Sequence, residues 1–183
     1  IKLFASWNMA LRMPTFTDLY YKSPTIQGNV GLKPEKTQAF SIGANYRTYY
    51  FQSSLSSFYN KGKDMIYWVM YSADDIYHSA NFELDNMGVE LSSSIDFRRL
   101  TNGKSWLQDL SINYAYIYQH RKDNEEIYKS SYGLEYLRHK LVARLNHRVW
   151  NKLTANWAFR WQDRTGSYIK YNEMNQSTNQ LVP

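Results

Sequence analysis

Six stretches of this chain place apolar side chains at every second position, and a seventh does so less regularly. Over residues 2–12, Leu3, Ala5, Trp7, Met9 and Leu11 alternate with Phe4, Ser6, Asn8, Ala10 and Arg12. Over 37–49, Phe40, Ile42, Ala44 and Tyr46 oppose Ala39, Ser41, Gly43, Asn45 and Arg47. The pattern recurs over 83–99, 106–119, 136–149 and 153–164. Period two predicts half-buried strands, because successive side chains of a strand point to opposite faces. The stretch 51–68 alternates poorly, and Lys61-Gly62-Lys63-Asp64 within it predicts a bulge or kink.

The connections are unequal. Short turns are expected at Tyr49-Tyr50-Phe51, Thr101-Asn102-Gly103 and Trp150-Asn151-Lys152. Longer ones are expected over 12–35, 69–82, from Arg121 through the charged run to Glu126, and from Gly166 onward, where the chain is polar and unpatterned. Long connections therefore follow the first, third, fifth and seventh stretches. That asymmetry belongs to an up-and-down antiparallel barrel in a membrane, with long loops outside and short turns on the periplasmic side. By this rule the first stretch runs outward. The stretches also exceed the five or six residues usual in soluble proteins and reach the ~9–11 that span a bilayer at a tilt.

Composition sharpens this picture. Aromatic residues make up 17% of 183, with 17 Tyr and 6 Trp, yet mean hydropathy is −0.63. Many amphipathic rings and few apolar runs suit a surface meeting both water and an apolar phase. An all-aromatic turn at 49–51 suits the headgroup level. No stretch reaches 18 apolar residues, which excludes a membrane helix and leaves membrane strands open. There is no Cys, so neither a disulfide nor thiol chemistry. The net charge of +6 is spread along the chain rather than clustered, which disfavours nucleic acid as a partner. No G-x-S-x-G, H-E-x-x-H or phosphate loop occurs, so no enzyme is expected. His139 and His147 fall on the apolar face of their stretch near its ends and read as interfacial; no metal site is expected. Asp74-Asp75 and Glu125-Glu126 read as solvated loop charge, with weak Ca2+ binding their one conceivable chemistry.

The connection over 12–35 carries more order than a breaker-rich loop requires. Arg12-Met13-Pro14-Thr15-Phe16, Asp18-Leu19-Tyr20, Gly28-Asn29 and Leu32-Lys33-Pro34-Glu35 resemble the signature of TonB-dependent outer-membrane receptors. Phe58-Tyr59-Asn60 with Asp64-Met65-Ile66, and Asn86-Met87-Gly88-Val89-Glu90, resemble that family's next two strands. The resemblance covers most of residues 1–165. It implies an all-β fold: about seven consecutive strands from the later part of a 22-strand transmembrane barrel. Residues 1–183 would then form a partial barrel domain, without the plug domain, the signal peptide or the final strands. The implied location is the bacterial outer membrane. The implied function is energised uptake of a scarce nutrient, with the TonB complex acting through the absent plug and with a surface lipoprotein as a conceivable further partner.

Within the resemblance, haem is disfavoured because no histidine lies between Pro14 and Asn29. A corrinoid of the vitamin B12 type or a ferric siderophore remains, the compact loops inclining toward the corrinoid. Candidate substrate contacts are Arg12, Tyr20, Tyr21, Asn29, Tyr71, Tyr77 and His78. Two alternatives stand against this reading. One is a passive porin or small structural barrel, which the lack of an eighth stretch after Gly166 disfavours. The other is a soluble β domain binding nucleic acid through Arg and Tyr.

Overall fold

The computed structural model describes residues 1–122, 127–131, 137–150, 152–165, 168–171 and 177–182. Its main strands are β1 (Lys2–Arg12), β3 (Glu35–Arg47), β4 (Phe51–Met70), β5 (Tyr77–Asp96), β6 (Leu107–Arg121), β8 (Leu137–Trp150) and β9 (Leu153–Arg164). They pair antiparallel in the order β1-β3-β4-β5-β6-β8-β9. Each main strand lies beside its sequence neighbour, as an up-and-down meander requires. The sheet is open, with β1 and β9 at its edges. Two short strands join it from connections: β2 (Ile26–Gln27) pairs β5, and β7 (Lys129–Ser131) pairs β4. The described residues include two single-turn helices, α1 (Phe16–Tyr20) and α2 (Phe97–Leu100).

The register gathers every second side chain of all seven strands onto one face. Leu3, Ala44, Leu55, Leu91, Tyr114, Leu141 and Trp161 form one continuous row across the sheet. Trp7, Phe40, Tyr59, Met87 and Tyr118 form another, further along. The opposite face carries Ser54, Ser56, Glu90, Asn113, Lys140 and Arg160. On that face Phe4 lies over Gly43 and Phe58 over Gly88; a Cβ on either glycine would collide with the ring. Along β4 the apolar face runs from Phe51 to Tyr59, along β6 from Leu110 to Tyr118, and along β8 from His139 to His147. Each span is roughly nine residues, enough to cross the apolar layer when tilted.

The slant of this band is that of a barrel wall. Its upper edge is Leu11 on β1, the Trp7 row across β3 to β6, His139 on β8 and Trp161 on β9, which belongs to the Leu3 row. The edge thus falls from the level of Leu11 to that of Leu3 while crossing six strand-to-strand steps. At ~3.3 Å per residue and ~4.8 Å per step, this corresponds to strands tilted by roughly 40°, within the range of closed barrels. Trp7, Ile42, Leu55, Trp157 and Phe159 are exposed on this face.

The structure corrects three expectations and bears out a fourth, the bulge in β4. β4 and β5 run on to Met70 and from Tyr77, so the connection expected over 69–82 shrinks to 71–76 and the two strands form a hairpin rising beyond the apolar band. Asp64, with φ 58°, marks a bulge between Gly62 and Met65. It inverts the two faces of β4, so that no single alternation runs the length of the strand; below it, Ser53 and Ser57 share the apolar face with Leu55 and Tyr59. The stretch expected to continue to Arg99 ends at Asp96, whose side chain accepts from the Arg99 N–H and caps α2. After Gly166, where a loop was expected, Tyr168–Tyr171 (β10) and Ser177–Val182 (β11) form a separate antiparallel pair. Tyr168 and Ile169 oppose Val182 and Leu181 there, residues that favour extended backbone. The start of the sixth stretch at Tyr136 and most of the charged run after Arg121 lie outside the described residues.

Candidate functional site

The buried apolar side chains of the described residues are Ile66, Val69, Phe82 and Leu84, all in the rising β4–β5 hairpin. Two long connections cover it, and they cross. Residues 13–34 leave β1, on the β3 side of the hairpin, yet β2 pairs in parallel with β5, Ile26 opposite Tyr77 and Gln27 opposite His78. Residues following β6, on the β5 side, supply β7, which pairs with β4 at Trp68, Val69 and Met70. Each short strand thus pairs with the edge of the hairpin away from the main strand that precedes it.

Polar groups staple the first connection in place. Pro14 ends β1, and Thr15 caps α1: its hydroxyl accepts from the Asp18 N–H at 3.1 Å while the Asp18 carboxylate accepts from the Thr15 N–H at 2.9 Å. The Asp18 carbonyl accepts from the Ser79 hydroxyl at 2.8 Å and from the Asn29 N–H at 2.9 Å. Gly28 passes so close to Leu19 that a Cβ would stand 2.9 Å from the Leu19 carbonyl carbon. Asn81 exchanges hydrogen bonds with the Lys33 backbone and donates to the Asp64 carbonyl at 2.6 Å, holding the connection and the bulge together.

Arg12 and Glu35 close the base. The Arg12 guanidinium donates two parallel hydrogen bonds to the Glu35 carboxylate, at 2.6 and 2.5 Å, and lies 3.7 Å from Asp18. Glu35 also accepts from the Ile66 N–H at 2.8 Å, just past the bulge, where the ladder to β3 has ended. Arg12 is thus engaged in positioning. Asn29 likewise folds back, its side chain accepting from the Gly31 N–H at 2.9 Å. Both were expected as substrate contacts from the sequence; the structure shows each of them hydrogen-bonded within the connection and exposed. Glu35, Asp18, Ser79 and Asn81 were not singled out. The first two stood in the motif as quoted, whereas nothing in the sequence flags the pairing of Ser79 and Asn81 with a segment 61 and 48 residues away, respectively.

The remaining candidates stand at the far end. In the 71–76 connection, the Asp75 carboxylate accepts from the Tyr71 N–H at 3.1 Å, the Ile76 N–H at 2.8 Å and pairs with His78 Nε2 at 3.0 Å. These donors, the Tyr71 N–H first, lower its pKa below 3.8. The Tyr71 and His78 rings lie 6.4 Å apart. Tyr77 is half-buried, its N–H bonded to the Thr25 carbonyl. Tyr71, Tyr20 and Tyr21 are 42%, 59% and 48% exposed. The structure brings Tyr71 to His78, and sets Tyr20 and Tyr21 at the end of α1. Among the described residues no group of three or more potential metal ligands converges. Asp75 is engaged as above, and Glu125-Glu126 lies outside the described residues. At the opposite end of the band, His147 accepts from Trp157 Nε1 at 2.9 Å and meets the Trp106 edge, an interfacial setting.

Comparison with known proteins places these features in context. The family model described as "TonB dependent receptor-like, beta-barrel" matches residues 1–181. The "Vitamin B12 transporter BtuB" of Vibrio vulnificus (strain YJ016) is 30% identical over 90 residues, 49% of this chain and 14% of that protein. Among solved structures, the "Copper transporter OprC" superposes with a TM-score of 0.66 at 18% identity, covering 86% of this chain and 23% of its own. The siderophore receptor PirA from Pseudomonas aeruginosa gives 0.61 at 18%, covering 90% and 28%. This chain therefore spans a minor part of each relative's length.

Proposed function

This chain belongs to the TonB-dependent receptor-like β-barrel family, and from that premise we propose that it forms seven neighbouring wall strands of an outer-membrane receptor that takes up a scarce nutrient with energy from the TonB system. The nutrient we propose is a corrinoid, with a ferric siderophore as the second reading. The observation that carries the proposal is the division of labour in the crossed connections. Arg12, Asp18 and Glu35 fix the scaffold, while tyrosine rings are exposed at Tyr20 and Tyr21 at the end of α1 and at Tyr71 in the 71–76 connection. Rigidly held rings offer broad, amphipathic contact area at low entropic cost, which suits a large, partly flat ligand. The likeness to a vitamin B12 transporter over half the chain favours the corrinoid; the fold shared with a siderophore receptor keeps the second reading. The 71–76 connection would contribute Tyr71 and His78, with Tyr77 fixing its base.

Transport requires the rest of the receptor, so the test is made on the full-length protein. In competition binding, cyanocobalamin is expected to displace labelled corrinoid and a ferric siderophore is not. Replacing Tyr20 and Tyr71 by Ala is expected to weaken corrinoid binding by about tenfold or more, on the basis of ~1–3 kcal/mol per stacked ring. Displacement by the siderophore alone would transfer the assignment to the second reading.

A further inference from the structure

On the lipid-facing side, two alternate positions beyond Phe40 and Tyr59 at the edge of the apolar band, Lys36 and Lys63 stand directly opposite each other on β3 and β4. Both are exposed, and among the described residues neither enters an ion pair. Like charges facing each other across an antiparallel pair are destabilising, so this arrangement calls for an anion. Lys61 lies on the same face one step nearer the band, opposite Asp85. The acids facing the patch from β5 are already engaged: Asp85 accepts from the Tyr59 hydroxyl at 2.7 Å and pairs with Lys122 at 2.9 Å, and Glu83 acts on Lys122. On the other flank, exposed Leu11 is the register partner of Lys36. A cationic pair thus sits where apolar surface ends, with an aliphatic wall beside it.

We propose that Lys36 and Lys63, assisted by Lys61, bind the headgroup phosphate of a membrane lipid whose acyl chains lie against Leu11 and the band below. The occupant is a lipid because the site is continuous with the apolar face: a phosphate held here has its chains directed along Met9 and Trp7, on the same face of β1. Lysine stems of four carbons reach from the wall to the headgroup level while keeping the ammonium hydrated. This inference rests on the band facing lipid and not on the identity of the nutrient.

The test uses the full-length receptor in detergent, titrated with bis-phosphorylated lipid A and read by native mass spectrometry. The wild type is expected to retain the lipid, and Lys36→Gln with Lys63→Gln to weaken retention about fivefold per lysine removed. Lys36→Arg with Lys63→Arg is expected to preserve it. Heat-modifiable migration on gels verifies that each variant is folded, and the single Gln variants carry the test if the double one is not. Equal retention by wild type and the Gln variants would overturn the proposal. So would equal retention of a dephosphorylated lipid A, or displacement of the lipid by millimolar inorganic phosphate. Nutrient binding is expected to be unchanged in every variant, which keeps this outcome separate from the receptor reading.

Discussion

The apolar band and the hairpin that rises out of it are built from the same two strands, yet they treat apolar side chains in opposite ways. Along β4, Leu55 and Tyr59 are exposed; a few residues on, Ile66 and Val69 are buried. Along β5, Met87 and Val89 are exposed, whereas Phe82 and Leu84 are buried. Among the described residues nothing covers the apolar face of the band, the arrangement of a wall whose outer face meets lipid. The hairpin has crossed connections on it and makes a core suited to water. One strand can serve both solvents because the bulge at Asp64 resets which side chains face where.

If the two regions follow different solvent rules, substitutions should separate them. The largest effect is expected in the hairpin core. Leu84→Ala should cost about 2–5 kcal/mol in unfolding free energy of the full-length receptor, by transfer loss and residual cavity. That cost should be the same in bilayers of any thickness. In the band, Leu55→Arg places a charge mid-wall and should cost about 2–4 kcal/mol in a bilayer. Ser54→Arg, next door on the opposite face, should cost under about 1 kcal/mol in the same urea titration. Equal costs at 54 and 55 would break the assignment of faces.

Smaller effects test the join between the regions. Glu35→Ala leaves the Ile66 N–H and the Arg12 guanidinium without their partner. About 1–3 kcal/mol is expected, discounted because Arg12 is half exposed. The change should appear as faster proteolysis within 13–34 while the band stays protected. Thr15→Ala removes the cap of α1 and should cost about 0.5–2 kcal/mol, read the same way.

The smallest expected effect is one of pH. The Asp75 pKa is lowered in the fold, so its contribution is complete above the ordinary carboxylate value of 3.8 and is lost as pH falls through the lowered value. The 71–76 connection should therefore hold unchanged from neutrality down to about pH 4 and loosen only below it. Carbon-13 titration of the Asp75 carboxyl should give a midpoint below 3.8; a midpoint above it would mean that the Tyr71 and Ile76 contacts do not persist.

How much of this was readable in the residues follows the same division. Where one face meets a single solvent, period two is visible, and the ends of β1 and β9 could be placed to the residue. Where both faces are covered, as over residues 77–82, hydrophobicity no longer alternates, and the start of β5 was missed. The motif over 12–35 marked the connection but not the hydrogen bonds within it. Arg12 reads as a free cation until Glu35 is brought beside it from 23 positions away. The crossing of the two connections left no local trace, since its partners, Gln27 with His78 and Lys129 with Met70, are distant in the chain.

The claim on which the rest depends is that odd-numbered residues of β4 from 51 to 59 face lipid. The chain lacks cysteine, so a single spin label can be placed at each position of the full-length receptor in bilayers and its collision rates with oxygen and a water-soluble nickel chelate measured. Oxygen accessibility is expected to peak at 51, 53, 55, 57 and 59 and to fall at the even positions between them. A profile without that alternation, or one with lipid accessibility at 52, 54, 56 and 58, would contradict the account.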